Sequence, residues 1–382
     1  MAAQRQTVRV GIVGSGFMLK AHTLAYRALG PLYGATLPPV ELRRVYDVEA
    51  SAAREAVERF GWRDAAKERR AVTQAEDIDL VDVVTPNDVH AEIAIDAARH
   101  GKHVLCEKPL ANDLPAAREM VRAVAEAGIV DQVGFVYRRW PAVRLAKRLV
   151  DAGCIGRIRT FRGHYFHDYA ADPALPLGWR GSMARAGAGS IGDIGSHVID
   201  LGRHLVGELS SVSARSRTFI TRRRQGGDHV QVDVDDATDL LVEFSDGASG
   251  VVQASWMATG YKTDLSFELT GDRGAIRFSW QRLNELAVYS EAEIPGTAGF
   301  RTIVIGPQHE GAEAFWPVAG QGLGWGDAFL LAARDLLGAV AGDEPAADRP
   351  SFVDGLRAME VVAAAQESAA ESRWATVRRM DP

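Results

Sequence analysis

Short apolar runs alternate with helical-period segments through the first third of the chain. Val8–Val13, Glu41–Tyr46, Leu80–Val84, His103–Cys106 and Val130–Val136 have the β-branched content of buried strands. Helical patterns start at Phe17 and near Ala50, and cover Asp88–Arg99 and Asp113–Ala127. This alternation predicts a doubly wound parallel sheet of the α/β class. After about Gly134 the pattern changes. A helix over Pro141–Ala152 precedes β-rich runs at Arg157–Phe166, Val212–Phe219, Thr238–Ser245, Gly250–Trp256, Leu265–Thr270, Ala275–Trp280 and Leu286–Tyr289. Tight turns at Ser245-Asp246-Gly247 and Gly271-Asp272-Arg273-Gly274 join neighbouring runs as hairpins do. The second part is therefore expected to be an α+β domain with a large, mostly antiparallel open sheet. Helices over Ala328–Val340 and Phe352–Ser368 close the chain. Two domains are expected, 1–134 and 135–382, which suits 382 residues.

One helical stretch, Gly189–His204, breaks the usual polar pattern. Ile194, Val198, Leu201 and Leu205 recur at the spacing of a buried face. Asp193, His197, Asp200 and His204 recur beside them, where Lys, Glu and Arg would be ordinary. Asp and His pass protons near neutral pH, and Asp193 stands four residues before His197, close enough for the side chains to meet. The plainer alternative is a capping box, with Ser190 and Asp193 closing the helix start.

The formal net charge of −6 argues against a nucleic-acid or anionic-membrane partner. Arg222-Arg223-Arg224, followed by Gln225-Gly226-Gly227, reads as a solvated loop. The two cysteines, Cys106 and Cys154, suggest neither a disulfide framework nor a metal spacing, so a reduced, cytoplasmic compartment is expected. The polar start Met1–Thr7 does not resemble a signal peptide, and no apolar run nears the ~20 residues of a membrane span. Arginine outnumbers lysine 38 to 6, which makes each lysine more informative.

The candidate chemistry lies at strand ends. Gly14-Ser15-Gly16 links the first strand to a helix, the context of a dinucleotide-binding turn, with Leu19 in place of the third glycine. Asp47 follows the second strand, where an acid accepts the adenosine ribose 2′-hydroxyl and repels a 2′-phosphate, favouring NAD over NADP. The insert Gly30–Pro39 lengthens the gap between them. Asp47 capping the next helix is the plainer alternative. Thr85-Pro86-Asn87 and Glu107-Lys108-Pro109 end two more strands. Ligands of such sheets lie outside these carboxyl ends. Two long irregular segments, Asp168–Gly189 with Trp179-Arg180 and Glu291–Gly326 with Trp316 and Trp325, have the length of functional loops. Their aromatics suit stacking on a sugar ring, or anchoring the loops to the core.

With these residues in view, the whole chain resembles the glucose–fructose oxidoreductase / inositol dehydrogenase / MocA family. The marks are Gly14-Ser15-Gly16, Thr85-Pro86-Asn87 with His90, Glu107-Lys108-Pro109, and Gly192-Asp193-Ile194-Gly195-Ser196-His197. Phe135-Val136-Tyr137-Arg138-Arg139, Ala171-Asp172-Pro173 and Gly299-Phe300-Arg301-Thr302 resemble its levoglucosan dehydrogenase branch, although Val136 stands where an Asn is common. The resemblance implies a Rossmann domain and NAD-dependent oxidation of a secondary hydroxyl, at C3, of a sugar, anhydrosugar or polyol. It implies His197 as base, Asp193 as its partner, and Lys108 stabilising the alkoxide. Glu107 is expected to pair with Lys108 or orient the nicotinamide ribose, and Pro109 to fix the turn through a cis Lys108–Pro109 bond. The expected cofactor set is Gly14, Gly16, Phe17, Met18, Asp47, Thr85, Pro86, Asn87, His90, Glu107 and Lys108. The expected substrate set is Lys108, Tyr137, Tyr165, Trp179, Arg180, Asp193 and His197. No metal is expected, from Asp193, His197 and His204 or elsewhere. Pairing of copies through the antiparallel sheet implies a homodimer or homotetramer. An NAD-retaining glycoside-cleaving enzyme and a non-catalytic NAD or ligand sensor share the fold and stand as alternatives.

Overall fold

Val8–Val13 forms β1, and the glycine turn behind it opens α1 (Phe17–Tyr33). The computed structural model describes residues 5–290, 296–343 and 348–379. The chain divides into two units. One runs to Arg139 and includes Gly324–Leu356, and the other comprises Trp140–Leu323 and the segment from Arg357.

The first unit continues with β2 (Val40–Tyr46), α2 (Ala50–Phe60), β3 (Asp64–Ala65), β4 (Leu80–Val83), α3 (His90–Arg99), β5 (His103–Cys106), α4 (Leu114–Ala127) and β6 (Asp131–Val133). The strands lie in the order β3-β2-β1-β4-β5-β6, every pair parallel. All four residues of β4 are buried, as in a sheet covered on both faces, and one of them is Asp82. Gly14, Asp47, Thr85 and Glu107 follow the carboxyl ends of β1, β2, β4 and β5.

The second unit begins with α5 (Pro141–Asp151) and β7 (Ile158–Phe166). After the 168–189 segment comes α6 (Ser196–Leu205), entered through a π-helical turn at Ile191–Gly195. Then follow β8 (Leu209–Arg217), β9 (Arg222–Gln225), β10 (Asp228–Gln231), β11 (Ala237–Phe244), β12 (Ser249–Ser255), β13 (Asp264–Gly271), β14 (Ala275–Ser279), β15 (Glu285–Ser290) and β16 (Gly299–Val304). The last elements are α7 (Trp325–Val340), which belongs to the first unit, α8 (Phe352–Glu371) and β17 (Ala375–Thr376). The large sheet has the order β16-β15-β14-β13-β7-β12-β11-β8-β17. It is antiparallel except where β12 runs parallel to β7. The α6 crossover sets β8 parallel to β7, and the two reversals through β11 keep β12 in that direction. Gly163 lets α6 lie close on the sheet: a Cβ there would fall 2.6 Å from Val198 Cγ1.

Several expectations are corrected. Arg222–Arg224 is not a solvated loop but half of the β9–β10 hairpin, and Arg223 is buried. Ser190 does not cap the helix: its hydroxyl is held by Asp235 and Ala254. The segment 168–189 holds helical turns at Trp179–Gly181 and Met183–Ala186. Of the segment Glu291–Gly326, residues 291–295 lie outside the described residues, and β16 forms part of the rest. Helix α7, assigned by chain order to the second domain, packs on α1 in the first unit because buried apolar residues cover most of its circumference. No helix among the described residues is long and apolar enough to cross a membrane.

Candidate active site

One group of candidate residues is built on the carboxyl edge of the parallel sheet. Gly14 has φ +104°, and a Cβ on it would stand 2.7 Å from the Val84 carbonyl oxygen, so only glycine fits the turn. Gly16 has no heavy atom within 4 Å of its would-be Cβ. It begins α1 without a side-chain cap, leaving the first-turn amides for an anion. Ser15 ties this turn to β2: its amide and hydroxyl donate to Asp47 Oδ2 at 2.8 and 2.7 Å. Asp47 Oδ1 accepts the Glu49 amide at 2.9 Å, a turn before α2 rather than a helix cap, since Glu49 is the N-cap and has no side-chain cap bond. Thr85 Oγ1 is buried and has no hydrogen-bond partner among the described residues. A cradle open at Gly16, uncapped amides and an orphaned hydroxyl fit a dinucleotide.

At the end of β5 the Lys108–Pro109 bond is cis, as expected. Glu107 is buried, and its Oε2 accepts the Lys108 amide at 3.1 Å. Its Oε1 lies 3.2 Å from His22 Nε2. Burial opposes the Glu107 carboxylate, yet the His22 hydrogen bond and charge hold its pKa below the usual range. His90 is fully buried, with ring nitrogens 3.0 Å from the Pro109 oxygen and 2.9 Å from the Thr85 oxygen. It thus joins the two loops. Phe17 projects into solvent and stacks on Trp325 at 5.5 Å, while Trp325 Nε1 donates to the Tyr137 hydroxyl at 3.3 Å.

A separate group of candidate residues lies in the other unit. Both stripes of α6 are largely buried: Ile194, Val198, Leu201 and Leu205, but also His197 and Asp200. The Asp235 carboxylate takes the Gly189 amide at 2.9 Å, the Ser190 hydroxyl at 2.6 Å and the Ile191 amide at 3.0 Å. This fixes the π turn that carries Asp193. The Tyr169 hydroxyl donates to Asp193 Oδ2 at 3.1 Å, and Arg180 Nε approaches Oδ1 at 3.5 Å. Desolvation and the Asp193 charge raise the Tyr169 pKa well above normal, keeping it a donor. The Arg180 guanidinium lies over the Trp179 ring at 4.4 Å, and the Tyr165 ring is 6.0 Å from that of His197. Buried Arg223 donates to the carbonyls of Ala170, Asp172 and Leu175, pinning the segment that carries Tyr169.

Comparison with known proteins identifies both parts of the chain. Residues 8–135 match the oxidoreductase family model for the NAD-binding Rossmann fold, and residues 143–277 match the GFO/IDH/MocA C-terminal domain. Levoglucosan dehydrogenase of Pseudarthrobacter phenanthrenivorans is 41% identical over 97% of this chain and 98% of its own. The chain belongs to the GFO/IDH/MocA oxidoreductase family. A Bacillus subtilis family member, scyllo-inositol 2-dehydrogenase (NAD(+)), is 32% identical over 67% of this chain and 71% of its own. The solved structure of levoglucosan dehydrogenase in complex with NADH and levoglucosan superposes with a TM-score of 0.94 at 40% identity, covering 98% of this chain and all of the other.

As in the family model, the first unit is an NAD-binding Rossmann domain. Leu19, in place of the family's frequent glycine, is buried in its core. Sequence reasoning missed His22, Asp82, Tyr169, Arg223 and Asp235. Only Tyr169 had a legible signal, as an aromatic inside a long irregular segment. Asp82 was a polar residue in an apolar run, easily passed over.

Proposed function

We propose that this family member oxidises a secondary hydroxyl of a sugar, anhydrosugar or polyol with NAD, with levoglucosan as the reference substrate and C3 as the reacting carbon. The observation that carries the reading is the Lys108, Asp193 and His197 set in a chain so similar, end to end, to levoglucosan dehydrogenase. When bound, NAD supplies a hydride acceptor at its nicotinamide. Gly14, Gly16, Phe17 and Met18 would cradle its phosphates, and Thr85, Pro86 and Asn87 would line its path. Asp47 would accept the ribose 2′-hydroxyl, which favours NAD over NADP.

His197 accepts the substrate hydroxyl proton, the role its imidazole suits near neutral pH. Asp193, steadied by Tyr169 and Arg180, orients the substrate or the ring. Lys108 donates to the oxygen as negative charge develops there; its compact ammonium suits that task better than a guanidinium. Tyr137, Tyr165, Trp179 and Arg180 complete the substrate set. Glu107, whose oxygens face the His22 ring and the Lys108 amide, holds the Lys108 segment. His90 supports the cofactor loops from behind.

The first domain is the cofactor domain in this reading, and the second binds substrate and pairs the copies. The sheet face bearing Arg162, His164, Glu268 and Arg277 has a hollow of about 380 Å³ and is the surface for that pairing. A reduced compartment, the cytoplasm, suits two free thiols, Cys106 and Cys154.

A panel of levoglucosan, glucose, other pyranoses and inositols, assayed with NAD and NADP for reduced-nicotinamide absorbance, tests the reading. Oxidation of at least one of them with NAD is expected. Turnover of none, or glycosidic cleavage without net reduction, would overturn it.

A further inference from the structure

Among the described residues, the proposed chemistry leaves several buried charged groups unused. Asp82, in the middle of β4, is fully buried. A carboxylate there is costly unless paired. It is paired with His22 of α1, whose Nδ1 lies 2.8 and 3.0 Å from its two oxygens, and it accepts the Tyr26 hydroxyl at 2.9 Å. These contacts fix the imidazole so that Nε2 faces Glu107 Oε1 at 3.2 Å. Both ring nitrogens face carboxylates, so a ring carrying two protons satisfies both and a neutral ring only one. Burial disfavours that charge, but Asp82 and Glu107 outweigh it and raise the His22 pKa to about 10. Phe329 covers the ring at 5.5 Å.

We propose that His22 is a positioning residue for the reaction, acting through Glu107 on Lys108; this rests on the dehydrogenase reading above. The imidazolium takes one Glu107 oxygen while the Lys108 amide takes the other, so the carboxylate cannot rotate without breaking a bond. The would-be Cβ of Gly134 stands 3.0 Å from the same carboxyl group, so the neighbouring chain closes in on it. Every link lies within the first unit. A buried ion pair is often no more stabilising than a well-packed apolar pair, whereas these two contacts restrict the Glu107 carboxylate to one orientation.

A double-mutant cycle on His22→Gln and Glu107→Gln tests this, with kcat and KM measured on the sugar that the wild type oxidises best. His22→Gln is expected to lower kcat at least about tenfold and to change the sugar KM far less. In the Glu107→Gln background the same substitution is expected to change kcat less than about twofold, because its route is already cut. Unchanged kcat in the single variant, or losses that simply multiply, would overturn the proposal. Two readouts need no turnover. In the ¹⁵N spectrum of the wild-type protein at pH 8 both His22 ring nitrogens are expected to be protonated, and a neutral ring would overturn the proposal even where the variants fail to fold. The Lys108 backbone amide resonance is expected to move in His22→Gln, and an unmoved resonance would also overturn it. A wild type that oxidises no sugar removes the dehydrogenase reading instead, and these spectra still decide whether His22 sets the Lys108 segment.

Discussion

The Ser190 hydroxyl donates to Asp235 Oδ2 at 2.6 Å, and that carboxylate also holds the amides on either side of Ser190. A loop residue just ahead of β11 thus sets the turn that presents Asp193. Asp235→Ala is expected to cost about 2–3 kcal/mol, since it strands buried donors. It is also expected to lower kcat at least about tenfold by loosening Asp193. Urea denaturation beside steady-state kinetics checks both effects.

Two glycines two residues apart are both expected to matter for NADH, but only one of them for folding. Gly14→Ala places a methyl 2.7 Å from the Val84 oxygen at φ +104°, so folding stability and NADH affinity both fall. Gly16→Ala meets no protein atom within 4 Å, so the melting temperature holds while NADH affinity falls at least about tenfold. Thermal melts paired with NADH fluorescence titration separate the two.

Lys108→Ala and His197→Ala are each expected to cut kcat by about 10²–10⁴ with little change in melting temperature. Lys108→Arg is expected not to restore the rate, because a fork of five donors does not replace a point charge on one oxygen. Recovery in the Arg variant would remove Lys108 from the alkoxide role.

Arg223→Ala is expected to cost about 2–4 kcal/mol by leaving three backbone carbonyls without their donor. The pinned segment carries Tyr169, so the sugar KM is expected to rise while NADH affinity stays as it was. Denaturation and KM measurements on the variant check this.

His22 links stability to pH. Its pKa is raised from the ordinary 6.5 to about 10 in the folded protein. The protonated ring therefore contributes stability in full below about pH 6.5, and that contribution disappears as pH rises through about 10. Urea midpoints between pH 7 and pH 10 are expected to fall more steeply for the wild type than for His22→Gln.

The sequence exposed what is local and periodic. β1 ends at Val13, as its apolar run does, and the Gly14-Ser15-Gly16 turn follows it with Gly14 at positive φ. Lys108 stood out because arginine is the default cation. What stayed hidden depends on distant partners. Arg223 looked solvated in a run of arginines, and only the fold reveals three carbonyls around it. Ser190 and Asp193 read as a capping box because Asp235, 45 residues from Ser190, was not in view. His22 and Asp82 are 60 residues apart, and neither sits in a pattern that announces charge inside the sheet.

Helix α7 lies against α1 although about three hundred residues separate Phe17 from Trp325. During synthesis the NAD-binding unit therefore emerges with the flank of α1 bare until α7 follows it and covers it. A fragment ending at Arg139 would carry every glycine of the fingerprint and still lack a wall.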